Sequence, residues 1–150
     1  HYDVCGYGNS LAVTRLLDIP LFLVASAQLD SRTVDLRQVH QRLTCALITD
    51  DRESIYHKKF MKAIAARDIV FSNFLEIGSV EAVKRSVISN LGIAYLPKFV
   101  VQQELDAGQL QVLPTEFDDQ TLTAVYIQRK SQQESRMLTT FIETLATSFA

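Results

Sequence analysis

The residue types able to do chemistry are few, and their spacing limits each of them. His1, His40 and His57 show neither HxxxH nor HExxH spacing, so no helix presents two imidazoles to one metal ion; each is expected to be solvated or hydrogen-bonded. Asp50-Asp51 and Asp118-Asp119 are adjacent pairs, which suits turns better than acid/base work. There is no GxSxG elbow. Gly6-Tyr7-Gly8-Asn9-Ser10-Leu11 has the first two glycines of a dinucleotide loop, but leucine stands in the third position and no strongly periodic helix follows. A flexible hinge is the better reading. No catalytic residue, metal ligand or cofactor is assigned. Cys5 and Cys45 are solitary, with no CxxC; two cysteines allow one disulfide, but the plainer reading is two reduced, partly buried thiols of a cytosolic protein.

The best-placed binding group is Ser79. Val80, Val83, Val87, Ile88 and Leu91 fall at i, i+3, i+7, i+8 and i+11 and make one apolar stripe, with Lys84, Arg85 and Asn90 off it. Ser79 stands where it can accept a hydrogen bond from the first turn, and Glu81 adds negative charge near the positive end of the helix dipole. A helix start with free amides and a hydroxyl also suits a carboxylate or similar anion.

The elements that must carry this helix follow along the chain. Ile69 to Ile77 reads as a strand, Gly92 lets the chain leave the helix, and Ile93 to Leu96 is a short apolar run expected of a strand buried on both faces. Pro97 suits the opening of the next helix, and Gly108 stands where a left-handed residue ends it. Gln109 to Leu113 is a further strand. Alternation of strands and helices over so few residues predicts βαβ units with a mostly parallel sheet.

Earlier in the chain, Pro20 to Ser26 reads as a buried strand, Asp35 to Arg42 as a short helix, and Leu43 to Thr49 as a strand. A helix is expected from Arg52 to Ala66, burying Tyr56, Phe60 and Ile64. Later, Leu122 to Gln128 reads as a strand and Ser131-Gln132-Gln133-Glu134 as a capping box. The box opens an amphipathic helix with Leu138, Phe141, Ile142, Leu145 and Phe149 on one stripe.

At 150 residues, with a formal net charge of −2, 47% apolar and 21% charged residues, the composition is that of an ordinary globular chain. No basic block or aromatic-interleaved Lys/Arg stripe suggests nucleic-acid binding by these residues. The longest apolar run, Ile19 to Ala27, is too short to span a bilayer.

The stretch Glu76-x-x-Ser79-x-x-Ala82-x-Lys84, then Asn90-Leu91-Gly92-Ile93-Ala94-Tyr95-Leu96-Pro97, then Glu104-Leu105-x-x-Gly108-x-Leu110, resembles the effector-binding domain of LysR-type transcriptional regulators. Asn90 stands where that family usually has a glycine, and asparagine is the next best residue for left-handed geometry. Pro20-Leu21-x-Leu23-Val24-x-Ser26 is similar to the family's entry into its second subdomain, and the segment His1 to Gly8 to the end of its first.

The resemblance implies an α/β, periplasmic-binding-protein type 2-like fold, two Rossmann-like subdomains with mixed, mostly parallel sheets. Residues 1–10 would end the first subdomain, 11–115 form the second, and 116–150 return to the first, which is incomplete. The partners of the last strand and helix are expected in a missing segment or a partner chain. It further implies an effector-sensing domain, not an enzyme, in a cytoplasmic regulator that forms a homodimer or homotetramer. Such a protein meets DNA only through an N-terminal helix-turn-helix not present here, and has no membrane partner.

Open parallel sheets bind ligands outside the carboxyl ends of their strands. On that rule the effector is expected between the subdomains at Gly8 and Asn9, Ser26 and Ala27, Ile48 and Thr49, and Gly78, Ser79 and Val80. The alternatives are an extracytoplasmic solute-binding protein of a transporter, which the unpaired cysteines disfavour, and an enzyme on a related two-lobed scaffold, which lacks a visible catalytic cluster.

Overall fold

The computed structural model describes residues 11–129 and 136–148. The chain divides into two compact units, Pro20–Gln120 and His1–Ile19 with Thr121–Ala150.

In the Pro20–Gln120 unit the elements run β1 (Leu11–Ser26, shared with the other unit), β2 (Gln41–Thr49), α1 (Ile55–Ala66), β3 (Ile69–Glu76), α2 (Val80–Ile88), β4 (Ala94–Pro97), α3 (Lys98–Asp106) and β5 (Leu110–Leu113). β2 and β3 pair in parallel. Ile48 N–H donates to Ile93 O at 2.8 Å and Ile93 N–H to Ala46 O at 2.9 Å, which joins β2 in parallel to the chain entering β4. β1 lies between β4 and β5, antiparallel to both. Four strands therefore run one way and β1 runs against them, the mixed, mostly parallel sheet expected.

Helices cover both faces. On one, α2 and α3 enclose Val24, Ile48, Val83, Val87, Ala94, Leu96, Val101 and Leu110. On the other, the Phe60 ring of α1 stacks on Tyr95 at 4.7 Å and meets Phe71 and Phe117 at 6.1 and 5.7 Å. Every residue of β4 is buried, because it has strands on both edges and helices on both faces.

The helix ends follow local chemistry. Ser79 caps α2 as expected, accepting from the Ala82 N–H. Asn90 sits at φ 61° and Leu91 N–H donates to Ser86 O, so asparagine supplies the left-handed residue that ends the helix. Gly108, at φ 70°, ends α3 in the same way. Gly92 has a different role from the one expected: a Cβ there would lie 2.4 Å from Ala46 O. It permits strand approach rather than helix exit.

Three further expectations are corrected. Asp35 to Arg42 is not a helix. A 3-10 turn at Ser31–Thr33 precedes turns in which Asp30 and Asp35 accept from the Arg32 and Arg37 N–H groups, and such side-chain bonds compete with helical ones. α1 begins at Ile55 rather than Arg52, because Ser54 is its cap. On α2, Leu91 is 62% exposed beyond the left-handed turn, whereas Lys84 is buried, its ammonium 2.8 Å from both Glu104 and Glu81. Burial alone would lower the Lys84 pKa; its hydrogen bonds to the two carboxylates outweigh that and raise it.

In the other unit, β6 (Thr121–Arg129) pairs with β1, and Thr123 Oγ1 donates to Asp18 at 2.9 Å. α4 (Arg136–Ser148) exposes Met137 and Phe141. The capping box at Ser131 to Glu134 lies outside the described residues. No helix among those described is long and apolar enough to cross a membrane.

Candidate functional site

The carboxyl ends of β2, β3, β4 and β5 define one edge of the sheet. β2 leads there into Thr49, Asp50 and Asp51, and β3 into Ile77, Gly78 and Ser79. Two backbone bonds tie these loops together: Ile77 N–H donates to Thr49 O at 3.0 Å and Gly78 N–H to Asp50 O at 3.1 Å. Gly78 is at φ 68°, and a Cβ there would meet nothing, so conformation alone calls for glycine. The Thr49 hydroxyl is buried and donates to Asp51 O at 3.2 Å. Asp51 Oδ1 accepts from Glu53 N–H at 2.8 Å, turning the chain toward the Ser54 cap of α1.

α2 begins at this edge. Its first amides have no acceptor within the helix, and Ser79 covers that of Ala82 only weakly, at 3.4 Å. Val80 is half-buried, and Ile48 lies in the core cluster. Ser79, Gly78, Val80, Thr49 and Ile48 are thus brought together as a rim, with Ile48 supporting it from below.

Ser26 and Ala27 are not part of it. Because β1 is antiparallel, Leu21 pairs with Pro97 at the rim while Ser26 pairs with Leu110 at the opposite edge. Ser26 Oγ donates to Ile88 O, at the far end of α2 from Ser79, at 3.1 Å. A nine-residue helix, about 13 Å long, separates the two serines. Gly8 and Asn9 lie outside the described residues.

Three groups beside the rim were not named as site residues from the sequence. The Tyr56 hydroxyl donates to Asp50 at 2.5 Å, and burial followed by that bond pushes its pKa to about 12. Arg52 Nε lies 3.2 Å from Glu76. His57, expected to be solvated or hydrogen-bonded, is instead buried in the first turn of α1, and burial followed by Arg52 lowers its pKa. Its place three residues after Ser54 was the available signal. Cys45 is half-buried and burial raises its thiol pKa; Cys5 lies outside the described residues.

Comparison with known proteins bears on what such a fold is for. Residues 3–150 match the family described as LysR substrate binding domain. The chain is similar to the HTH-type transcriptional regulator YfiE of Escherichia coli K12, at 33% identity over 144 residues, 95% of this chain and 48% of that protein. It therefore spans about half the length of that relative. Among solved structures, the regulatory domain of HypT from Salmonella typhimurium superposes with a TM-score of 0.67 at 22% identity, covering 99% of this chain and 70% of that one. The regulatory domain of CcmR from Synechocystis, in complex with 2-PG, gives 0.68 at 20% identity, covering 93% and 67%.

Proposed function

The chain belongs to the LysR substrate-binding domain family, and on that premise we propose that it is the effector-sensing part of a LysR-type transcriptional regulator. A small metabolite binds at the rim formed by Thr49 to Asp51 and Gly78 to Val80. Differential affinity for two arrangements of the domain then shifts a homodimer or homotetramer. DNA is reached through an N-terminal helix-turn-helix outside this sequence, and the protein works in the cytoplasm as a sensor rather than a catalyst. Residues 11–115 act as the second effector subdomain and residues 1–10 and 116–150 as parts of the first.

One observation supports this reading above the others. The start of α2 and the loop after β2 are held together at the carboxyl edge, where open α/β sheets take ligands. The bound 2-PG of the CcmR regulatory domain belongs to that protein, but it supports a small-molecule role for this fold.

The test is a thermal-shift screen of amino acids, dicarboxylic acids and phosphorylated short-chain acids, followed by titration of each hit into Ser79→Trp. The indole fills the rim without entering the core, so binding should fall at least a hundredfold while the melting temperature moves by only a few degrees. Unchanged affinity in Ser79→Trp would remove α2 from the site.

A further inference from the structure

His57 is a buried titratable group on the stripe of α1 that also buries Phe60 and Ile64. It is 8% exposed. Ser54 caps its backbone N–H, yet neither ring nitrogen meets a hydrogen-bond partner among the described residues. A histidine that serves only a core normally places a ring nitrogen on a neighbour, since a buried polar group left unpaired is costly.

The charged groups acting on the ring are Arg52, Asp50 and Asp51 from the loop after β2, and Glu76 from the end of β3. These are the loops that build the rim. Burial first, and then Arg52, favour the neutral ring over the opposing pull of Glu76, Asp50 and Asp51. A neutral imidazole presents one N–H donor and one lone pair. Arg52 is engaged by Glu76 and Asp50 Oδ1 by Tyr56, whereas the His57 ring has no hydrogen-bond partner among the described residues.

We propose that His57 is a specificity residue of the effector site, hydrogen-bonding the hydroxyl or carbonyl of a small hydroxy- or oxo-acid whose carboxylate is received by the start of α2. This rests on the rim being the effector site. Two chemistries are then divided between two helix starts: the α2 amides take negative charge, and the α1 imidazole distinguishes an oxygen substituent from a bare methylene. A buried site with an unmet hydrogen-bonding group rejects analogues that lack the partner more strongly than an apolar pocket rejects a missing methylene.

The first measurement needs no ligand. Diethyl pyrocarbonate labelling of the folded chain, read by peptide mass, uses His40, whose side chain is 76% exposed, as the internal reference. His57 should label in the folded chain, more slowly than the far more exposed His40. Labelling only after unfolding would show a sealed ring and overturn the proposal.

The second measurement uses glycolate, malate and 2-oxoglutarate as probes, followed through backbone amide and imidazole NMR signals. At least one should shift the Thr49 to Asp51 and Gly78 to Val80 amides together with the His57 ring. His57→Phe should then bind it tenfold or more weakly, and His57→Gln, which keeps a donor and an acceptor, within about threefold of the parent. A probe that shifts the rim amides but leaves the His57 ring unmoved, or binds His57→Phe unchanged, overturns this inference and leaves the rim standing. Binding away from the rim overturns both. No response to any of the three overturns the hydroxy- and oxo-acid class.

Discussion

The two edges of the sheet in the Pro20–Gln120 unit carry similar polar residues and treat them in opposite ways. At the edge where β1 ends, Ser26 gives its proton to Ile88 O and accepts from Gln28 N–H, while Gln111 donates to Ser26 O and Leu29 O at 2.8 and 2.7 Å. Those groups are spent on the protein. At the edge where β2 and β3 end, Ser79 makes a long capping bond, the first α2 amides have no acceptor within the helix, and the His57 ring meets no hydrogen-bond partner among the described residues. A serine in a loop is therefore no site by its type. The direction of the strand that leads to it decides, because helix starts gather at only one end of a mostly parallel sheet.

Both edges are lost together if the sheet carrying them is disturbed. Gly92→Ala drives a Cβ into Ala46 O and should separate β2 from β4. A loss of about 3 kcal/mol in denaturant unfolding is expected, as for an overpacked core site that cannot yield.

Next is the ion pair that braces α2 against α3. Lys84→Met leaves Glu104 largely buried without its cation and should cost about 2 kcal/mol, somewhat below the loss for a fully buried pair. Adding Glu104→Leu should recover most of it. The Lys84 hydrogen bond, outweighing burial, holds the Glu104 carboxyl below its usual range. Its stabilising contribution is thus present above the unfolded pKa and is lost as pH falls through the folded one; the double variant should show a shallower acid limb.

A pair of alanine variants sharpens the contrast directly. Ser26→Ala deprives buried acceptor and donor groups and should cost about 1–2 kcal/mol with no change in ligand affinity. Ser79→Ala should cost about 1 kcal/mol as a lost cap and weaken ligand binding as well. Equal effects on binding from both would erase the distinction between the edges.

The smallest effect concerns pH. His57 has its folded pKa below the unfolded value, so the folded chain takes up its proton less readily and stability should decline as pH falls below about 6.5. His57→Phe should flatten that part of the stability profile by less than about 1 kcal/mol, measured by urea unfolding at pH 5 to 8.

Much of the fold was legible because its determinants are local. Ser79, Asn90, Pro97 and Gly108 mark helix ends through their own backbone and side-chain chemistry, and the apolar run at Ile93 to Leu96 identifies a strand buried on every side. What escaped depends on residues distant in sequence. The burial of Lys84 requires Glu104 on another helix, and the role of Gly92 requires the Ala46 carbonyl. The direction of β1 is set by pairing with β4 and β5, so Ser26 read from sequence as a rim residue and stands at the other edge. Asp30 and Asp35 turned a segment whose Leu36, Val39 and Leu43 spacing had suggested a helix. The rim itself was half legible: Thr49, Gly78 and Ser79 could be named from the βα joints, whereas Tyr56 and His57 needed the first turn of α1 to be brought against the loop after β2.

On the proposed function, one edge of this sheet receives an effector and the other does not. Amide shift mapping of the ¹⁵N-labelled chain, against the metabolites that raise its melting temperature, tests it directly. Perturbations centred on Thr49 to Asp51 and Gly78 to Val80, with Ser26 to Leu29 and Gln111 silent, are the expected result. Perturbations centred on Ser26, Ile88 and Gln111, with the α2 start silent, would contradict it.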